Sequence, residues 1–291
     1  MKKILSYFKR RSKILFSRLF ENNIARFERK KVLKSFKENN EIALIYSIGK
    51  VGSATIYNSL KKSEKINFPS FHVHSLQPAR IEEQKNYYKS STRKSIPFHL
   101  LQSTAIAEAL QTYDGNLYIF TLIREPISRE LSSIFQDSFN FTNAKQITKE
   151  NISAVVKSKI DALIKELPEI EWFSRELKDV FGIDIFEINF DPSIGYSIQV
   201  NGNIHFVLIR LEELNSNFDE ITKAIFNRNE GIKLMITNES SDKFYHESYL
   251  EIRKDICLSE PEINKLIESK FIQKFYPDHI STIIKKWNCP K

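Results

Sequence analysis

The chain has little cysteine and no apolar run long enough to cross a bilayer. Cys257 and Cys289 are the only two cysteines among 291 residues. They stand far apart in no metal-binding or redox spacing, which predicts a reducing, cytoplasmic setting without a disulfide scaffold. No apolar stretch approaches the roughly 18 residues a membrane-spanning helix needs, which argues against such a helix. Internal repeats and low-complexity linkers are missing as well. The expected organisation is therefore a basic N-terminal arm over residues 1–38 and one domain over residues 39–291.

What is present suits a folded, basic protein. Hydrophobic residues make up 41% of the chain, with 22 Phe, enough for a sizeable core. Lys and Arg number 44 against 36 Asp and Glu, a net charge of +8. Such a surplus attracts anions, but it suits an anionic cofactor, a nucleic acid or a membrane surface equally well. In Met1–Lys31 the apolar residues Ile4, Leu5, Phe8, Ile14, Leu15, Phe16, Leu19 and Phe20 interleave with Lys and Arg. These charges interrupt every apolar segment and no small-residue cleavage site follows, so the arm does not read as a signal peptide. It reads first as a helix packing its apolar stripe on the domain, and second as a basic amphipathic helix on an anionic bilayer. The second reading would put the protein at the inner face of the cell membrane.

The segment Ile42–Leu60, IALIYSIGKVGSATIYNSL, carries the strongest chemical signal. A short apolar run predicts a buried strand; a turn holding Gly49, Lys50 and Gly52 follows, then apolar spacing that predicts a helix. A strand feeding such a turn into a helix N-terminus builds an anion site, because free N–H groups and the positive dipole end converge there. Lys50 adds a full charge, and Ser53 and Thr55 add hydroxyls. A nucleotide triphosphatase loop requires its lysine directly after the second glycine, whereas Lys50 precedes Gly52 here. Taken alone, a tight strand–helix turn with incidental serines fits about as well.

A second segment, Leu117–Phe135, LYIFTLIREPISRELSSIF, begins as a continuous apolar run expected of a central parallel strand. Arg124 stands at its carboxyl end, where ligands bind in open α/β sheets. Pro126 opens a helix. Ser132 follows about two turns on, so Arg124 and Ser132 could hold one phosphate between them. The competing reading pairs the arginine with Glu125 or Glu130.

The remaining pattern predicts strands near Ser70–His74, Asn116–Ile123 and Asp184–Phe190. It also predicts a hairpin of Ser197–Val200 and His205–Arg210 around Asn201-Gly202-Asn203. Helices are expected at Pro78–Lys89, Ser103–Thr112, Ile127–Asp137, from about Lys149 to Val180 with a break near Pro168, and through the C-terminal third. Strands alternating with helices predict an α/β fold with a mostly parallel central sheet flanked by helices. Trp172 and Phe173 read as core.

Together the two segments resemble the sulfotransferases that use 3′-phosphoadenosine 5′-phosphosulfate (PAPS). Lys50-Val51-Gly52-Ser53-Ala54-Thr55 resembles their 5′-phosphosulfate loop, and Arg124, Pro126 and Ser132 resemble their 3′-phosphate element. Further stretches resemble the bacterial putative capsular polysaccharide synthesis proteins, a sulfotransferase-like group. These are HVHSL at His72–Leu76, REPISRELSSIFQ at Arg124–Gln136 and WFSRELKDVFGID at Trp172–Asp184. NESSDKFY at Asn238–Tyr245 and SKFIQKFYP at Ser269–Pro277 extend the likeness to about Ile42–Trp287. Phe244 departs from it, since the group often has Trp there.

The resemblance implies a P-loop-like three-layer fold and transfer of a sulfuryl group from PAPS to a glycan hydroxyl in capsular or surface polysaccharide synthesis. Its partners would be the nucleotide donor and a polysaccharide or glycolipid acceptor, not a nucleic acid. It implies cofactor contacts from Lys50, Val51, Gly52, Ser53, Ala54, Thr55, Arg124 and Ser132, with Asn238 and Lys243 on a late closing segment. Sulfuryl transfer needs a cation at the leaving oxygen, for which Lys50 is placed, and a base for the acceptor hydroxyl, usually histidine. It needs no metal in principle. His72 and His74 alternate on one predicted strand and point the same way. His74 is the first candidate base, His72 the second and His99 the third. A kinase-like nucleotide-binding enzyme and a non-catalytic phosphate-binding protein on the same scaffold are the alternative readings.

Overall fold

The computed structural model describes residues 23–90, 96–141, 149–235 and 246–289. A five-stranded sheet in the order β2-β1-β3-β5-β4 forms its centre. Strands β1 (Glu41–Tyr46), β2 (Ser70–Val73), β3 (Asn116–Ile123) and β5 (Ile204–Arg210) run parallel, and β4 (Tyr196–Asn201) is the antiparallel edge. The apolar runs of β1 and β3 are buried nearly throughout, as strands covered on both faces must be. Alternate residues serve opposite layers: Ile42, Leu44 and Tyr46 enter one core, Ala43 and Ile45 the other.

Helix α1 spans residues 23–38 and sets Val32 and Phe36 into the larger core. Helix α2 (Ser53–Lys62) follows β1 and packs Ile56 and Leu60 into the second core. Helices α3 (Pro78–Ser90) and α4 (Phe98–Leu110) lie between β2 and β3 in the chain, and α5 (Pro126–Phe141) follows β3. Then come α6 (Lys149–Lys165) and α7 (Pro168–Trp172), which continues through a π-helical stretch, Phe173–Lys178, into α8 (Asp179–Phe181). Helix α9 (Leu214–Ile225) follows β5, and α10 (His246–Asp255), α11 (Glu260–Ile267), α12 (Lys270–Phe275) and α13 (Ile280–Trp287) complete the described chain. The hairpin appears where the Asn-Gly-Asn signal predicts it, with Gly202 at φ 58°. Trp172 and Phe173 are core residues.

Two expectations are corrected. Asp184–Phe190 is not a strand: the Asp184 carboxylate accepts the Phe186 amide at 2.9 Å, and the Glu187 amide bonds the Asp184 carbonyl at 3.0 Å, closing a turn. Ile185, Ile188 and Phe190 still reach the core from that turned backbone. Cys257 and Cys289 are joined in a disulfide. Their 32-residue separation hid this, because packing of the C-terminal helices brings Cys289 back to Leu258, whose carbonyl accepts the Cys289 amide at 3.2 Å. The cysteine count therefore carries no argument for a reducing setting. Among the described residues, no helix is long and apolar enough to cross a membrane.

The strand order creates one crevice. From β1 the chain moves to β2 on one side and later to β3 on the other, so the loops leaving β1 and β3 diverge at their carboxyl ends. Such a switch point is where open α/β sheets bind ligands.

Candidate functional site at the carboxyl ends of β1 and β3

The loop after β1 is fastened to β3 at its first residue. The Ser47 hydroxyl accepts the Leu122 amide at 2.9 Å, and the Thr121 hydroxyl donates to the Tyr46 carbonyl at 2.8 Å. Two residues then turn left-handed, Lys50 at φ 74° and Gly52 at φ 79°. For lysine this conformation is costly; for glycine it is easy. Gly52 is the N-cap of α2, no side chain caps that helix start, and its first turn holds no acidic residue. The positive end of α2 is thus not neutralised by a carboxylate of its own first turn, a donor set that suits an anion.

The other loop residues divide by burial. Val51 is fully buried and contributes packing to the second core. Ala54 and Thr55 are half-buried, and the Thr55 amide closes on the Gly52 carbonyl at 3.0 Å. Ser53 is buried, with its hydroxyl 2.8 Å from His72 Nε2.

Three histidines gather beside the loop. His72 lies on β2 opposite Ile45 of β1, its ring centroid 4.8 Å from that of His74, which is in turn 5.3 Å from that of His99 on α4. His74 Nδ1 lies 2.6 Å from the Ser47 carbonyl. A carbonyl only accepts, so Nδ1 carries the proton and the lone pair is on Nε2. Burial lowers the pKa of all three. His72 falls to about 3 with help from His74 and His99, and His99 falls to about 4 with help from His74. For His74 the charge of Lys50 adds to burial while the bond to Ser47 opposes both. The rings are neutral near pH 7, the form able to accept a proton. Among the described residues, no group of His, Cys, Asp and Glu is arranged to hold a metal ion.

Arg124 leaves the end of β3 and turns to the loop. Its Nη1 donates to the Lys50 carbonyl at 3.0 Å, and among the described residues no carboxylate pairs with it. Glu130 pairs with Arg129 at 2.8 Å instead. Glu125 is buried and caps α5, accepting the amides of Ile127 at 2.8 Å and Ser128 at 3.1 Å. The N-terminus of α5 is therefore occupied by its own carboxylate, and an anion near β3 would rely on side chains. Ser132 stands half-buried two turns into α5. Asn238 and Lys243 lie outside the described residues.

The chain's far end also reaches this place, which sequence reading missed. Lys286 Nζ donates to Ser128 Oγ at 2.6 Å and lies 3.3 Å from Glu125, while Trp287 Nε1 donates to Glu125 at 3.1 Å. No local pattern ties a C-terminal lysine to a strand end more than 150 positions earlier. Burial lowers the Lys286 pKa and Glu125 works against that.

Residues 148–277 match the family model described as putative capsular polysaccharide synthesis protein. This is less than half of the chain and narrower than the likeness read over Ile42–Trp287. It runs from α6 through α12 and includes the hairpin, whereas the loop after β1 and Arg124 lie before it. The match supports a role in polysaccharide synthesis. No curated protein and no solved structure gives a significant match.

Proposed function

We propose that the chain is a PAPS-dependent sulfotransferase that modifies a glycan hydroxyl during surface polysaccharide synthesis. The observation carrying this reading is the bond from Arg124 Nη1 to the Lys50 carbonyl. It joins the two anion-binding segments at one crevice, as a nucleotide bearing phosphates at both ends of its ribose requires. PAPS supplies an activated sulfuryl group whose departure leaves a phosphate. Lys50 and the uncapped start of α2 hold the anionic end of the donor and stabilise charge there. Arg124 and Ser132 hold the 3′-phosphate by charge-assisted hydrogen bonds. His74 accepts the acceptor's proton at Nε2; His72, shared with Ser53, orders the wall beside it.

Calorimetric titration with adenosine 3′,5′-bisphosphate, the by-product, tests the donor assignment. Binding that is lost in Arg124→Ala supports it, and binding of Mg–ATP alone overturns it in favour of a kinase-like site. Transfer of radiolabelled sulfate to surface glycans tests catalysis. Nucleotide binding with no transfer to any glycan would mark a non-catalytic protein on this scaffold.

A further inference from the structure

The helix formed by α7 and its π-helical continuation has no part in the donor contacts above, yet it touches both sides of the crevice. Glu169, Trp172 and Glu176 recur at helical spacing and face inward. Glu169 bonds Arg129 on α5, the helix that follows Arg124. Trp172 Nε1 donates to the His74 carbonyl at 2.8 Å. One oxygen of Glu176 accepts the amides of Leu76 at 2.8 Å and Gln77 at 2.9 Å, and also the Tyr46 hydroxyl. Tyr46 immediately precedes Ser47, whose carbonyl accepts the hydrogen bond from His74 Nδ1–H. The bonds close a ring: the end of β1, the segment leaving β2, and the α7 helix.

Glu176 is fully buried, and its second oxygen has only Arg80 Nε at 3.4 Å, without a hydrogen bond. A buried carboxylate with one oxygen unsatisfied is a poor way to stabilise a core, and an apolar residue of like size would serve better. Two of its three donors instead fix the backbone of Leu76 and Gln77, the two residues that follow Ser75, and the third, the Tyr46 hydroxyl, ties that segment to the end of β1. The π-helical stretch fits this role, since such turns are rare and concentrate at functional sites.

We infer that Trp172 and Glu176 are positioning residues that hold the His74 backbone so that Nδ1–H meets the Ser47 carbonyl and Nε2 faces the crevice. The inference rests on the reading of His74 as the proton acceptor. Both residues lie in the segment matched by the capsular polysaccharide family model, so that segment would shape a site whose anion-binding loops come from outside it.

The test is the tautomer of His74, read from long-range ¹H–¹⁵N spectra of protein labelled at histidine nitrogen and assigned with His74→Gln. Wild type should show the Nδ1–H form. Trp172→Phe keeps an aromatic ring beside Tyr46 but removes the donor, and Glu176→Ala removes the acceptor; both should mix the tautomers. Glu176→Gln keeps an acceptor oxygen and should restore the wild-type signal. In transfer assays Trp172→Phe should lower kcat about tenfold or more while the donor KM moves less than about twofold, as expected for a misaimed base. Should Glu176→Ala fail to fold, Trp172→Phe carries the test. Mixed tautomers with rescue in Glu176→Gln support the inference whether or not adenosine 3′,5′-bisphosphate binds. An unchanged His74 tautomer in folded Trp172→Phe overturns it, even where that nucleotide binds normally.

Discussion

Arg124 Nη1 donates to the carbonyl of Lys50 at 3.0 Å across 74 positions of sequence, and Lys50 holds the left-handed backbone conformation, φ 74°. The two facts are connected. A lysine in this conformation costs roughly 1–2 kcal/mol, and such strain persists only where surrounding bonds over-determine it. Arg124 supplies one of those bonds, so the cation at the carboxyl end of β3 also shapes the loop after β1.

The strain separates the backbone of Lys50 from its charge. Lys50→Gly and Lys50→Ala lose the same ammonium, but only glycine relaxes at φ 74°. Lys50→Gly should therefore be more stable than Lys50→Ala by about 1 kcal/mol in urea unfolding, with both equally poor in sulfate transfer. Equal stability would show that the loop conformation is not strained, and retained transfer would remove Lys50 from the chemistry.

Arg124→Ala should weaken adenosine 3′,5′-bisphosphate binding about 10- to 100-fold, the value of one hydrogen bond to a charged group. Arg124→Lys should recover only part of this, because an ammonium cannot reach the Lys50 carbonyl and a phosphate in the fork geometry of a guanidinium. Calorimetry on the three proteins checks the order; full recovery by lysine would reduce Arg124 to a point charge.

Acid should destabilise the fold through the histidine cluster. The pKa of His72 falls from 6.5 to about 3 on folding and that of His99 from 6.5 to about 4, and His74 moves the same way. The unfolded chain then binds more protons below pH about 6.5, so this contribution is complete above that value and is lost as the pH falls toward 3. Burial raises the carboxyl pKa of Glu169 and Glu176, which gives the opposite slope above their ordinary range. His72→Asn isolates the histidine part. Its urea midpoint should fall less between pH 7.5 and pH 5.5 than that of the wild type, and an equal fall would exclude His72 as a contributor.

The disulfide should be worth about 4 kcal/mol by the loop-closure relation for its 32-residue separation. Urea unfolding with and without dithiothreitol measures it, and alkylation of the unreduced, unfolded chain should label neither cysteine. Because Lys286 and Trp287 just before Cys289 bond Glu125, reduction should also weaken nucleotide binding. Labelling of both cysteines without reductant would contradict the pairing.

Much of the fold was legible because its signals are local. The run Asn116–Ile123 is buried on both faces and became β3 with the expected ends; Asn201-Gly202-Asn203 turned the hairpin. Asp184–Phe190 failed because a side chain competed: the Asp184 carboxylate bonded a backbone amide that a strand would have offered to a neighbour. The disulfide failed because cysteine spacing says nothing about which helices pack together.

By itself, then, the chain determined its strands, the glycine turn that ends in Gly52, and the arginine at the end of β3, since each depends on periodicity or backbone freedom within a few residues. Only the tertiary structure decided which of these meet. The sheet order β2-β1-β3 set Arg124 on the Lys50 carbonyl and His74 on the Ser47 carbonyl. The packing of the α7 helix brought Glu176 to Leu76 across 100 positions, and that of α13 brought Lys286 to Glu125. These partners are separated by whole elements, so no short-range pattern records them; they follow from burying two apolar faces of one sheet at the same time.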